Sequence, residues 1–255
     1  MGSTRLPKKV LRKIGKKSML HYVIKQTLAS KIIDEVIIAT TKEKADQPII
    51  DFCKQNKIKV FRGSKTDLLD RYFQCAKKFR CDPIIRITSD CPLIDPCVID
   101  KIITKFKKKS FDYVANNIEK IHGKWSNSMC NYPQGMTVEI SSFRALKKAW
   151  NEAEKPSERE HVFPYIQFNP NLFRISNVKM KKNLSHIRCT VDKAKDLKFV
   201  KIVYEKLGEG KIIRIRDITK ILKKNPKLVT INNNIAFDEG YKKSLLLDKK
   251  YGLKK

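Results

Sequence analysis

The stretch EVIIATTKEKADQPIIDFCKQNKIKVF, residues 35–61, decides the fold. Glu35–Thr41 (EVIIATT) is a short β-branched run of the kind found in buried strands, Gln47–Gln55 has helical spacing, and Ile58–Phe61 (IKVF) returns to strand. Strand, helix and strand with short connections predict parallel pairing with the helix crossing over one face. The same rhythm extends outward. Before it, Ser18 caps a helix to Leu28 with Leu20, Val23, Ile24 and Leu28 on one face. After it come a helix over 67–79 capped by Thr66, a strand at Ile84–Thr88 (IIRIT), and a helix over Pro96–Lys109. Lys107, Lys108 and Lys109 fall in that helix's last turn, where the helix dipole favours cations. Through residue 110 the chain therefore reads as a parallel sheet with helices on both faces.

Beyond Ser110 the rhythm loosens. Phe111–Ala115 is strand-like, 116–132 is polar and irregular, Met136–Ser142 alternates as a strand and Phe143–Ala153 as a helix. Ser157 and Glu160 match a capping box for a helix over 157–168, and Ile187–Val191 (IRCTV) is a further strand. Helices follow at Lys195–Lys206, Asp217–Lys223 and Glu239–Lys249. There is no internal repeat and no clear linker, so the 255 residues are expected to form one domain with an elaborated second half.

Composition narrows the function classes. With 41% apolar residues the chain can bury a core, and no apolar run reaches the roughly 18 residues a membrane span needs. A cytoplasmic protein is expected, with its seven cysteines as reduced thiols, since none follows a CxxC spacing. The net charge of +30 invites a nucleic-acid partner. However, the excess is mostly lysine, whereas arginine makes the bidentate phosphate and base contacts, and the lysines are spread along the chain.

Two features point to chemistry. GSTRLPKKVL, residues 2–11, places Gly2, Ser3, Thr4, Arg5, Lys8 and Lys9 together, a combination suited to cradling phosphate. Asp90 and Asp192 each follow a predicted strand, IIRIT and IRCTV, and ligands of open α/β sheets bind beyond the carboxyl ends of strands. Converging there, two carboxylates would suit Mg²⁺, which takes one or two carboxylates plus substrate phosphates. The structural alternative is helix capping, by Asp192 itself or by the neighbouring Asp95.

The motifs MGSTRLPKKVL, FRGSKTDLLDRY (61–72), RITSDCPLIDP (86–96), YPQGMTVEISSFRAL (132–146), SEREHVFPYI (157–166) and LSHIRCTVDKAKDL (184–197) occur in this order. Together they resemble the nucleotidyltransferase family of the spore coat polysaccharide biosynthesis protein F and the acylneuraminate cytidylyltransferases. The resemblance implies a three-layer α/β/α fold like that of the nucleotide-diphospho-sugar transferases, on a mostly parallel mixed sheet. It implies transfer of CMP from CTP to a sugar, expected to be acidic, with release of pyrophosphate. Residues 1–110 would bind nucleotide, and residues 111–255 would bind sugar and form a homodimer. Gly2, Ser3, Arg5 and Lys9 match the triphosphate loop, Asp90 and Asp192 the Mg²⁺ aspartates, and Arg71 a nucleotide contact. Tyr132, Gly135, Glu139, Glu158, Arg159 and His161 would line the sugar side, with His161 the candidate general base. The competing readings are a glycosyltransferase using a nucleotide-sugar donor, a basic nucleic-acid-binding protein and an inactive truncated homologue.

Three departures accompany the resemblance. The family's loop follows a hydrophobic strand, and this sequence opens inside the loop motif, so about ten residues of first strand are expected ahead of it. A misassigned start would account for that. Lys8 stands where the family has glycine, and Thr137 where aspartate is common.

Overall fold

The computed structural model describes residues 5–235, 239–250 and 252. After a 3-10 turn at Lys9–Leu11, the ribbon β1 (Lys13–Ile14) and β2 (Lys17–Ser18) leads into α1 (Met19–Leu28), capped by Ser18 Oγ accepting from the His21 N–H. The alternation then runs β3 (Ile37–Thr41), α2 (Gln47–Gln55), β4 (Lys59–Gly63), α3 (Leu68–Phe79), β5 (Ile84–Arg86), α4 (Pro96–Lys108) and β6 (Tyr113–Ala115). Asp67 caps α3 rather than Thr66, and Asp95 caps α4 by accepting from the Cys97 N–H.

The second half contains a hairpin of β7 (Ile118–Ile121) and β8 (Lys124–Asn127), then β9 (Glu139–Ser141), α5 (Phe143–Glu152), α6 (Pro156–His161) and α7 (Pro164–Phe168). It ends with β10 (Ile175–Asn177), α8 (Ala194–Leu207), α9 (Ile215–Lys224) and α10 (Glu239–Lys250). Four expectations are corrected here. The irregular stretch 116–132 contains the hairpin. The helix expected over 157–168 is two helices broken at Val162, whose φ of 76° a β-branched residue cannot hold within a helix. Its capping carboxylate is Glu158, which accepts from the Glu154 and Lys155 N–H groups, so the Ser157–Glu160 box does not form. Ile187–Val191 is not a ladder strand: Arg188 makes an isolated parallel bridge to Gln134.

Among the described residues the main sheet has the order β10-β6-β9-β5, with β9 antiparallel to both neighbours and β10 parallel to β6. Period-2 alternation divides its side chains. Val114 and Ile140 join the core formed with α4, α8 and α9, whereas Tyr113, Ala115 and Ile84 join the core under α3, α5 and α7. Two cores on opposite faces of one sheet make the three-layer α/β/α arrangement. The cysteines are free thiols, with Cys97 exposed.

β3 and β4 pair in parallel as residues 35–61 predict, but as a separate sheet. Among the described residues, neither β3 nor β5 has a ladder partner on its remaining edge. An apolar cavity of about 730 Å³ lies among β3, β5, α1 and α3, lined by Val10, Ile24, Ile38, Ala39, Ile85 and Ile87. Arg71 and Arg86 also border it, and the Nε of each is buried with no hydrogen-bond partner among the described residues. Unpaired strand edges and orphaned donors around an apolar space are the conditions under which a further strand stabilises a sheet. An extension of about six β-branched residues ahead of the loop is expected to raise Tm by at least about 5 °C. A Gly/Ser extension of equal length is not. Scanning calorimetry on both chains checks this, and equal Tm values would contradict it.

Candidate active site

The loop is pinned at the carboxyl-end side of β5. Lys9 Nζ donates to Asp90 Oδ2 at 2.9 Å, to Asp192 Oδ1 at 3.1 Å and to the Val191 carbonyl at 3.1 Å. The two aspartates, far apart in sequence, meet because the Val191 N–H donates to the Asp90 carbonyl at 2.8 Å. Burial would raise the Asp90 carboxyl, but the Lys9 ammonium and hydrogen bonds from Thr88 and Cys91 outweigh it and hold the group below its ordinary value. Reciprocally, burial lowers Lys9, yet the two carboxylates leave it raised. Lys9 and Asp90 thus hold each other in their charged forms.

Arg5 extends the cluster, with Nη2 on Asp192 Oδ1 at 2.8 Å and Nη1 on Glu239 Oε2 at 2.9 Å. Arg188 orients Asp192 from behind. It donates to Asp192 Oδ2, to Asp196 Oδ1 and to Gln134 Oε1, each at 2.9 Å. Asp196, fully buried, also accepts the Asp192 and Lys193 N–H groups and the Asn232 amide. Asp192 therefore faces the site as a carboxylate, while the N-terminal turn of α8 is closed by Asp196; the capping alternative for Asp192 is not what the chain uses.

Arg5, Asp90, Arg188, Asp192 and Glu239 border a pocket of about 280 Å³ that continues to Gly135, Thr137, Glu139, His161 and Tyr241. Gly135 has φ 87°, and a Cβ there would lie 2.5 Å from the Thr190 nitrogen, so the backbones at 133–136 and 187–191 approach closely only with glycine. Glu139 is buried and fully engaged. It accepts from Tyr113 Oη at 2.8 Å, from Gln167 Nε2 at 3.2 Å and from the Arg86 guanidinium. His161 Nε2 faces Ser244 Oγ at 3.0 Å. Burial, then the Arg86 charge, outweigh Glu160, Glu139 and Asp248 and hold the imidazole below its ordinary 6.5, so it is neutral at pH 7.

Of the residues singled out in the sequence, Arg5, Lys9, Asp90, Asp192, Gly135, Glu139 and His161 are thus brought to one place. Gly2 and Ser3 lie outside the described residues. Four others sit elsewhere. Arg71 borders the apolar cavity. Tyr132 is 2% exposed in the core. Glu158 caps α6. Arg159 is committed to Asp67 and to the Trp150 carbonyl. Arg188 and Glu239 escaped sequence reasoning; Arg188 had a signal in lying four residues before Asp192, whereas Glu239 is separated from the loop by nearly the whole chain.

A family model for cytidylyltransferases matches residues 1–234. The chain belongs to the cytidylyltransferase family. It is thereby a nucleotidyltransferase by class, and its relatives agree. It is 37% identical over 236 residues to an uncharacterized protein of Methanocaldococcus jannaschii, covering 92% of this chain and 91% of that one. It is 30% identical to the spore coat polysaccharide biosynthesis protein SpsF of Bacillus subtilis, covering 90% and 93%. Among solved structures, a cytidylyltransferase from Leptospira borgpetersenii superposes with a TM-score of 0.81 at 30% identity, covering 93% of this chain and 94% of that one. A CMP-2-keto-3-deoxy-manno-octonic acid synthetase complexed with CTP superposes at 0.60 with 17% identity over 81% and 95% of the chains, which bears on the fold alone.

Lys8 sits at φ 56° and ψ 28°, the left-handed region that favours glycine. That conformation costs a side-chain-bearing residue about 1–2 kcal/mol. Part of the cost is offset because glycine is freer when unfolded. Lys8→Gly is expected to stabilise the protein by about 0.5–1 kcal/mol. Urea unfolding checks this, and a destabilised variant would contradict it.

Proposed function

We propose that the protein transfers CMP from CTP to a sugar, expected to be acidic, and releases pyrophosphate, with Mg²⁺ as cofactor. The observation that carries this reading is the Lys9 ammonium seated between Asp90, Asp192 and the Val191 carbonyl. Three oxygens around one cation form a hard, all-oxygen donor set of the kind Mg²⁺ takes. No group of three or more His, Cys, Asp or Glu residues suited to a metal occurs among the described residues, so substrate phosphate and water would have to complete the sphere. Asp90 and Asp192 would hold the ion, which when bound would neutralise charge on the triphosphate.

The chain's own residues supply the rest. Lys9 and Arg5 are cations placed beside those carboxylates, and phosphate oxygens compete well for such donors because charge-assisted bonds to phosphate are strong. Arg188 and Asp196 lock Asp192 in one orientation, so little reorganisation is needed during transfer. His161, neutral at pH 7 beside the pocket, can accept the proton of an attacking hydroxyl. A sugar hydroxyl forms the new bond to the α-phosphorus, the α–β bridging bond breaks, and pyrophosphate carries away its electron pair.

Action in surface polysaccharide synthesis, a cytoplasmic location and a homodimer belong to the same proposal. The relatives support the first, and among the described residues no helix is long and apolar enough to cross a membrane. Pyrophosphate release from each of the four NTPs, with Mg²⁺ and a panel of sugars, is the test. Activity selective for CTP is expected, falling about 100-fold or more in Asp90→Ala. Release that is indifferent to the base, or unchanged in Asp90→Ala, would overturn the reading.

A further inference from the structure

Glu239 opens α10 and closes one flank of the pocket. Its carboxylate spans two cations from distant parts of the chain, Arg5 Nη1 at 2.9 Å and Lys193 Nζ at 3.2 Å. Those hydrogen bonds, from Lys193 first and Arg5 second, hold its carboxyl below the ordinary range. Lys193 follows Asp192 directly, so the pair of cations adjoins the carboxylate that faces the site.

We infer that Arg5 and Lys193 form an anion subsite of the active pocket, and that Glu239 is its internal occupant, displaced when a substrate anion arrives. Three observations carry this. The carboxylate itself demonstrates the chemistry the subsite accepts: a planar or tetrahedral oxyanion bridging a guanidinium and an ammonium. The three side chains are 35%, 40% and 42% exposed for Glu239, Arg5 and Lys193, and ion pairs so open to water contribute little to stability. The third is the independence of the helix from this contact. α10 is docked by buried bonds further along it, where Asp248 accepts from the Ser157 N–H at 2.9 Å and from its hydroxyl, and Ser244 donates to Glu160. A side-chain rotation of Glu239 can therefore clear the subsite while the helix stays in place.

The pocket measures about 280 Å³ with Glu239 in place, at the lower edge of small-molecule sites. Displacement opens it on the side where Arg5 already reaches Asp192. The anion is a phosphate of the nucleotide or a carboxylate of the sugar. Its identity rests on the cytidylyltransferase reading; the subsite does not.

Calorimetric titration of the full chain with inorganic pyrophosphate, and separately with D-glucuronate in the presence of CMP, tests the inference. Glu239→Gln keeps the shape and removes the charge, and it is expected to tighten at least one of the two by about 5-fold, the scale of one exposed ion pair. A gain confined to pyrophosphate assigns the subsite to phosphate, and one confined to glucuronate assigns it to the sugar. Adding Lys193→Met to Glu239→Gln is expected to abolish the gain. Unchanged or weakened binding of both probes in a Glu239→Gln chain of normal Tm would overturn the inference, as would a gain that survives Lys193→Met. Tighter pyrophosphate binding in a chain that transfers nothing from CTP would refute the proposed function and leave the subsite standing.

Discussion

One ammonium holds the active region together. Lys9 lies 14% exposed between two carboxylates that leave opposite halves of the chain, Asp90 after β5 and Asp192 before α8. Without that cation, two partly buried like charges would sit together, an arrangement that raises a carboxyl's pKa or drives the groups apart. With it, the segment from Arg5 to Lys9 is fastened beside Asp90 and Asp192. In the proposed reaction the same atoms would also meet the metal and the triphosphate, so structural and chemical demands would coincide there. Arg188 and Asp196 form the supporting layer, a buried pair whose remaining bonding capacity is taken up by Gln134, Asn232 and backbone N–H groups. Buried ion pairs persist when so satisfied and are costly when one partner is lost.

The basic composition takes on a different meaning beside this site. A chain of net charge +30 gathers Asp90, Asp192, Glu139 and Glu239 around one pocket. Each is matched there to an arginine or a lysine, so the pocket is a place of balanced charge in a strongly positive molecule. The wider lysine field draws anions toward the surface at long range, and screening limits its reach to about 8–10 Å at ordinary salt. Local pairing then decides what stays.

Much of the fold was legible because it depends on periodicity. The run over residues 35–61 predicted a parallel β3–β4 pair and a helix at Gln47–Gln55, and both are present. Asp90 and Asp192 were legible as strand-end carboxylates, although only one of the two predicted strands exists as a ladder strand. Other features depend on contacts that no local pattern announces. Glu158 and Arg159 look like site residues in the string SERE, yet one caps its own helix and the other bonds Asp67 across the α3–α6 contact. The break at Val162 rests on a positive φ, which sequence periodicity does not encode. Glu239 reaches Arg5 only because α10 docks on α6.

The most direct test of the central claim, that Asp90 and Asp192 form a cation site serving a cytidine nucleotide, is electron paramagnetic resonance of Mn²⁺ titrated into the protein with CTP. UTP and the variants Asp90→Asn and Asp192→Asn serve as comparisons. The account predicts a bound Mn²⁺ signal that strengthens with CTP more than with UTP and weakens at least 10-fold in apparent affinity in either variant, the scale of a lost charged ligand. Mn²⁺ binding that is indifferent to both substitutions would contradict it.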